Sequence, residues 1–149
     1  MGICKTLEGL YMTLDLTDPQ KVLAGTIYGE ARGEGEEGMQ AVACVIMNRA
    51  KSKITWWGSG VIGVCLKPYQ FYCWHINNTN RLKILTVKDK DPQFVQAMDI
   101  ARQAIGFVMY DITLGADSYF NPDECSAPNW AKNKPPTIVI GKHWFYKVY

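Results

Sequence analysis

The chain has 149 residues and a mass of 16.8 kDa, a length that suits one hydrophobic core rather than two. Hydrophobic residues make up 48% of the chain and charged residues 20%, which is typical of a folded globular domain and excludes a disordered chain. Sixteen Lys and Arg against fourteen Asp and Glu leave a net charge of only +2, too small a surplus to favour a nucleic-acid-binding protein. We therefore expect residues 1–149 to form a single domain with no nucleic-acid partner.

The distribution of apolar residues and cysteines limits where the protein is made. The sequence has no apolar run of the roughly eighteen residues that a membrane span requires, and residues 1–17 form an extension without the apolar stretch of a secretory signal. The cysteines are odd in number and scattered, so we interpret them as small buried residues in a reducing compartment rather than as a disulfide framework: Cys4, Cys44, Cys65, Cys73 and Cys125.

Two helices are predicted in the first third of the chain. Asp18-Pro19 is a helix start, because Asp18 can cap the first N–H groups and proline loses nothing at the first helical position. Apolar residues then recur every three or four positions until Gly33 and Gly35 end the helix. A second helix, apolar nearly all round, is predicted from Glu36-Glu37 to about Ala50.

The rest of the chain predicts one long helix and a hairpin. Residues 56–80 are dense in Gly, Pro, Asn and aromatics, a composition typical of an irregular binding surface. Asp91-Pro92 opens a third helix whose apolar face extends to Ile105, with Val108 as an alternative last member. We predict two strands, at residues 137–140 and 143–146, joined by a two-residue turn. The predicted fold class is mainly α with a small C-terminal β-hairpin.

Glu30 stands out because it lies on the wrong face of its helix for a charged residue. It follows Leu23 by seven residues and Ile27 by three, so it shares the core-facing stripe. A carboxyl group withdrawn from water tends to keep its proton, which suits a general acid at the edge of a cleft. The alternative is a structural Glu at a helix end, paired with Arg32 or Arg49.

Glu34 is the nearest candidate for a second site carboxylate. It sits between two glycines, where the backbone can turn its side chain back toward Glu30. Glu36 and Glu37, by contrast, suit a helix N-terminus and need no further role.

The segment 27–49, IYGEARGEGEEGMQAVACVIMNR, resembles the opening of the spore cortex-lytic cell wall hydrolases of the SleB/CwlJ type. In that family a helix ending in a GEARGE-like string meets a second helix ending in NR. The segment PYQFYCW at 68–74 is similar to the family's QFSCW segment, and residues 115–130 with GKHWFY at 141–146 are similar to its closing pattern. Together these similarities cover about residues 20–147.

The resemblance implies a lysozyme-like or resuscitation-promoting-factor-like helical fold and activity on the glycan strands of peptidoglycan. It also implies that Glu30 is the catalytic acid. One departure limits the carry-over: the chain has Ser118-Tyr119-Phe120 where SleB-type members often have histidines beside the tyrosine, so no role of those histidines is transferred.

The loops supply candidate substrate contacts. Aromatic rings stack well on the faces of sugars, and polar side chains can bond hydroxyl and N-acetyl groups, although about half of such aromatics are expected to serve the core instead. The candidates are Tyr69, Phe71 and Trp74 for stacking and Gln70, Tyr119 and Asn121 for polar contacts.

A metal or thiol site is the weaker interpretation of the Cys and His residues. Cys65, Cys73, His75 and His143 match no zinc spacing, and a Cys/His nucleophilic pair is defined by geometry rather than by sequence. No metal and no cofactor are therefore expected.

These observations predict a monomeric enzyme that cuts between N-acetylmuramic acid and N-acetylglucosamine. Glu30 and Glu34 are only four residues apart, so both would approach from one side of the sugar; one acid must then perform both proton transfers, as in lytic transglycosylation to a 1,6-anhydro product. The alternatives are muramidase-type hydrolysis with a second carboxylate, a non-catalytic glycan-binding module, and a peptide-cleaving cysteine enzyme. Without a signal peptide, we expect synthesis in the cytoplasm of a bacterium or a phage-infected cell and action on the cell wall or spore cortex.

Overall fold

The computed structural model describes residues 4–5 and 11–149, with side chains from residue 13 onward. Much of the predicted N-terminal extension, and the side chain of Cys4, lie outside the described residues. The helices of the described chain are α1 (Pro19–Ala31), α2 (Gly35–Lys51), α3 (Gly60–Leu66), α4 (Thr79–Leu85) and α5 (Pro92–Ile105). The strands are β1 (Cys4–Lys5), β2 (Tyr11–Met12), β3 (Ser118–Phe120), β4 (Ile138–Ile140) and β5 (His143–Tyr146). The prediction of a mainly helical, lysozyme-like fold with a small C-terminal sheet is confirmed.

The start of α1 follows from its first residues, as predicted. The Asp18 carboxylate accepts hydrogen bonds from the backbone N–H groups of Gln20, at 2.9 Å, and Lys21, at 3.4 Å. Pro19 occupies the first turn, where its missing N–H costs nothing. Gly35, with φ of +76°, marks the change of direction into α2.

Helix α1 is the centre of the fold. It packs against α2, α3, α4 and α5, so it is enclosed on nearly every side. The side chains at the centre of this packing are fully buried: Val22, Leu23 and Ile27 of α1, Met39, Val42 and Ile46 of α2, and Ile100 of α5. A helix enclosed in this way brings its polar residues inside the molecule as well, and this is the reason that Glu30 is partly buried.

The prediction of irregular structure for residues 56–80 is only partly right. Helix α3 and the start of α4 lie within this stretch, together with a 3₁₀ turn at Tyr72–Trp74. Helix α3 contains two glycines and has a weak helical signal, but its Val64 and Cys65 are buried against the core. Of the two alternatives for the end of the third helix, the structure shows Ile105 and not Val108, because Phe107 takes a left-handed conformation with φ of +58°.

The C-terminal hairpin is confirmed, but it is part of a larger sheet. Strand β5 pairs with β4 across a turn in which Gly141 has φ of +58°. The opposite edge of β5 pairs antiparallel with β3, which places Tyr119 opposite Phe145. The strand order is therefore β3-β5-β4, and the central strand holds Tyr119 in a defined register.

No helix within the described residues has the length and apolar character needed to cross a membrane.

Gly29 tests the close approach of the Tyr72–Trp74 turn to α1. A Cβ at Gly29 would overlap the side chain of Ile84 and lie 2.8 Å from the Cβ of Cys73. We expect Gly29→Ala to lower the free energy of unfolding by about 1–3 kcal/mol, measured by urea denaturation, because overpacking outweighs the gain in helix propensity. Gly33→Ala is the matched control, since nothing lies within 4 Å of a Cβ at that position. A Gly29→Ala variant as stable as the wild type would contradict this packing.

Candidate active site

A cleft of about 630 Å³ opens beside the C-terminal end of α1. Its lining comes from the end of α1 and the 3₁₀ turn Arg32–Glu34, and from β3 and the β4–β5 turn. Four of the residues predicted to form the site line this cleft: Glu30, Glu34, Tyr119 and Asn121.

The Glu30 carboxyl group is fixed by a donor at each oxygen. The Tyr119 hydroxyl donates to Oε1 at 2.7 Å, and the backbone N–H of Cys73 donates to Oε2 at 3.2 Å. A carboxylate oxygen has two lone pairs, so each oxygen can still engage a group in the cleft. The arrangement orients the carboxyl group without using up its capacity to exchange a proton.

The alternative pairing of Glu30 with Arg32 or Arg49 is not what the structure shows. Arg32 donates to the carbonyl of Tyr28 at 3.0 Å and to the side chain of Asn80 at 2.7 Å. Arg49 directs its Nε–H to the carbonyl oxygen of Asp117 at 2.6 Å.

Tyr119 is a permanent hydrogen-bond donor in this setting. Burial raises the pKa of its hydroxyl well above the usual value, and the charge of Glu30 raises that pKa further. The phenol therefore stays protonated through the neutral and mildly alkaline range. Its ring is held by His143, with ring centres 5.1 Å apart, and by Phe145, at 5.5 Å.

The Asn48-Arg49 pair at the end of α2 anchors the segment that leads into β3. The Asn48 amide donates to the Asp111 carboxylate at 2.9 Å and to the carbonyl of Ala116 at 2.8 Å. Together with the bond from Arg49 to Asp117, these contacts hold the chain immediately before Tyr119. Asn48 and Arg49 thus position the segment that carries Tyr119, and neither residue lines the cleft.

Glu34 occupies the cleft wall between α1 and the β4–β5 turn. Its Oε2 lies so near Gly141 that a Cβ on this glycine would be 2.8 Å away. A third carboxylate, Glu124, lines the same cleft from the loop after β3. The sequence reasoning did not single out Glu124, because an acidic residue in a loop rich in Asn and Pro carries no distinctive pattern.

The predicted stacking residues lie elsewhere. Tyr69, Phe71 and Trp74 line a second concavity of about 330 Å³, and the cleft that contains Glu30 is lined by different residues. Phe71 is buried in the core, and the Trp74 indole donates to the hydroxyl of Thr26 at 2.9 Å. The side-chain amide of Gln70 donates to the carbonyls of Trp57 and Val64, both at 2.8 Å, so this group supports the local backbone.

The cleft also contains polar residues that the sequence analysis did not assign to substrate binding. These are Asn78, the residue that caps α4, Asn80, the second residue of α4, and Lys142 and His143, at the hairpin turn. Tyr72 completes this wall with an exposed ring.

Cys44, Cys65 and Cys73 are buried, as predicted, whereas the interpretation of Cys125 as a buried residue is wrong, because this residue is exposed and lines the cleft on the loop after β3. The two buried thiol groups beside α1 are unreactive in character. Cys65 and Cys73 are buried; burial raises the pKa of Cys65 to about 12 and also raises that of Cys73. Both therefore stay protonated near neutral pH, which opposes a nucleophilic role. Between residues 13 and 149, no three His, Cys, Asp or Glu side chains are grouped to hold a metal ion.

Comparison with known sequences identifies relatives over most of the chain. A family model described as Cell Wall Hydrolase matches residues 33–146, a segment that begins just after Glu30. The spore cortex-lytic enzyme of Bacillus subtilis is 34% identical over 127 residues, covering 84% of this chain and 36% of the relative. That of Oceanobacillus iheyensis is 33% identical over 129 residues, covering 85% and 41%. The chain thus spans about two fifths or less of the length of these two relatives.

Solved structures give the same grouping. The catalytic domain of the germination-specific lytic transglycosylase SleB from Bacillus anthracis is 31% identical, with a TM-score of 0.66 over 87% of this chain and 93% of that domain. The catalytic domain of the Bacillus cereus SleB protein is also 31% identical, with a TM-score of 0.67 over 87% and 89%. Since the family model covers well over half of the sequence, the chain belongs to the cell wall hydrolase family.

Proposed function

We propose that the chain is a monomeric, single-domain lytic transglycosylase that cleaves peptidoglycan between N-acetylmuramic acid and N-acetylglucosamine. The observation that carries this proposal is the Glu30 carboxyl group, held at both oxygens by Tyr119 and Cys73 in an open cleft. The likeness to a domain described as a lytic transglycosylase supports the same reaction class. We infer that the enzyme acts on the cell wall or spore cortex.

In the first step, Glu30 acts as general acid. Its proton passes to the glycosidic oxygen as the bond from that oxygen to C1 of the muramic acid breaks, and the bonding electrons leave with the oxygen. Negative charge then develops on the Glu30 carboxylate. The hydroxyl of Tyr119 and the N–H of Cys73 already point at its oxygens, so this charge is stabilised without reorganisation.

In the second step, Glu30 acts as general base. The 6-hydroxyl of the muramic acid attacks the electron-poor C1, and its proton returns to the carboxylate. The acid is restored, no water is consumed, and the product carries a 1,6-anhydro ring. One carboxyl group is sufficient for both transfers.

Hydrolysis is the second candidate, because the cleft contains two other carboxylates, Glu34 and Glu124. A hydrolase needs a second carboxylate about 5–5.5 Å or 6.5–9.5 Å from the acid, on the opposite side of the sugar. We favour transglycosylation because Glu34 follows α1 directly and lies against the hairpin turn at Gly141, and because the chain is similar to a domain described as a lytic transglycosylase. Glu124, on the loop after β3, remains the carboxylate through which hydrolysis would proceed, and its variant is part of the test below.

Glu30→Gln should abolish the release of fragments from purified sacculi, since the amide is nearly isosteric but cannot donate the proton. A general acid contributes about 10² to 10⁴ in rate, so we expect a loss of at least that order, measured by turbidity clearance. The melting curve should remain close to that of the wild type. If Glu30→Gln clears sacculi at the wild-type rate, the activity belongs to a different site. If the wild type binds glycan without cleaving it, the chain is a non-catalytic module.

Tyr119→Phe should lower kcat and leave KM nearly unchanged. The variant removes one hydrogen bond to a charged group, worth about 1.5–3 kcal/mol, and we therefore expect kcat to fall about 10- to 100-fold. Tyr110→Phe is the matched control, because Tyr110 is 80% exposed and lies outside the cleft lining. A wild-type kcat in Tyr119→Phe would show that this bond has no part in proton transfer.

The products decide between the two reactions. Mass spectrometry of the released muropeptides should show 1,6-anhydro ends, each lighter by one water than a hydrolytic end. Glu34→Gln and Glu124→Gln should both retain these products, since neither residue performs a proton transfer. If the wild type instead releases reducible ends, the chain is a hydrolase. The variant that no longer releases them then identifies the second carboxylate.

A further inference from the structure

A side groove lies next to the cleft and has a different chemical character. This side groove is the concavity of about 330 Å³ between the end of α3, the Tyr72–Trp74 turn and the start of α4. Its walls are mainly aromatic and aliphatic, with Tyr69, Trp74 and Ile76 among them. Tyr69 is 90% exposed and Ile76 is 78% exposed, so this apolar surface is open to a ligand.

One stacked pair of rings separates the side groove from the cleft. Tyr72 lines the cleft, and its ring stacks on His75 with centres 5.4 Å apart and an angle of 24°. His75 lines the side groove and is also near the Tyr69 ring, at 5.9 Å. A substituent on a sugar bound in the cleft therefore has to cross only this one pair to enter the groove.

The side groove carries positive charge and no negative charge. Lys67 and Arg81 belong to its lining and are exposed, whereas no Asp or Glu is part of that lining. His75 adds a donor: its Nδ1 accepts the N–H of Asn77 at 3.2 Å, which leaves the proton of the neutral ring on Nε2. The cleft, in contrast, contains three carboxylates beside Lys142, so the side groove is the concavity that favours an anionic ligand.

We propose that the side groove binds the acidic peptide stem of the muramic acid residue whose glycosidic bond lies in the cleft, an inference that rests on the proposed function. Stem peptides are attached to the muramic acid and combine alanine methyl groups with free carboxylates. The methyl groups match the Tyr69 and Trp74 surface, and the carboxylates match Lys67 and Arg81. A neutral stretch of glycan would gain nothing from these two cations. The chain therefore prefers peptide-bearing strands over bare ones.

The test compares two substrates and two double variants. The substrates are glycan strands with their stems and the same strands after an amidase has removed the stems. The groove variant is Lys67→Glu with Arg81→Glu, and the control is Lys53→Glu with Lys132→Glu, which changes the net charge equally at exposed positions outside both concavities. Arg81 is the third residue of α4, where a carboxylate is favourable, so we expect the groove variant to fold.

The groove variant should raise KM for stem-bearing strands about fivefold or more, since two charge contacts are reversed, and leave kcat unchanged. On stripped strands its kinetics should equal those of the wild type, and the control should match the wild type on both substrates. High salt should reduce the difference between the substrates. If the melting temperature of the groove variant falls below that of the wild type, Lys67→Gln with Arg81→Gln replaces it. We expect this second pair to raise KM for stem-bearing strands by a smaller factor.

Other outcomes overturn the inference in separable ways. Equal KM values of the wild type for both substrates, or equal losses by the groove variant on both, would eliminate the stem site and leave the proposed function intact. Failure of the wild type to cleave either substrate would overturn the proposed function and the stem site with it.

Discussion

The hydrogen bond from the Tyr119 hydroxyl to Glu30 joins parts of the chain 89 residues apart, and the site depends on it. Glu30 lies in the last turn of the central helix, whereas Tyr119 belongs to a three-residue strand of the C-terminal sheet. A partly buried carboxyl group without donors would be costly, so the bond supports the fold as well as the chemistry.

Three separate features of the fold converge on that one bond. Strand β5 pairs with β3 and fixes the register of Tyr119. Asn48 and Arg49 at the end of α2 hold the segment before β3. On the other side, Gly29 has no side chain, which lets the turn at Cys73 come close enough for its backbone N–H to reach Glu30. Each of these features acts on the geometry of the Glu30 carboxyl group.

The two concavities divide the chemistry of recognition. The cleft is polar and contains carboxylates and amides, which suits a neutral, hydroxyl-rich glycan and the transfer of a proton. The side groove is apolar and cationic, which suits an acidic peptide. The ring pair of Tyr72 and His75 lies between the two concavities. If the proposed stem site is occupied, the glycan and its peptide are two parts of one branched substrate, and a bare glycan makes fewer contacts than a substituted one.

The sequence by itself determined the features that depend on near neighbours in the chain. These features are the Asp18-Pro19 cap, the three- and four-residue spacing of apolar residues in α1 and the glycine of the β4–β5 turn. They were sufficient to predict the helices α1, α2 and α5, the hairpin and the position of Glu30 on the inward face of α1. Only the tertiary structure decided the partners of Glu30, because Tyr119 and Cys73 reach it through pairing and packing between segments far apart in the chain. Strand β3, the role of Glu124 in the cleft lining and the position of the predicted stacking residues outside the cleft could not be predicted for the same reason. A short strand, a loop carboxylate or an exposed ring has no sequence periodicity, and its position depends on the distant segment against which it packs.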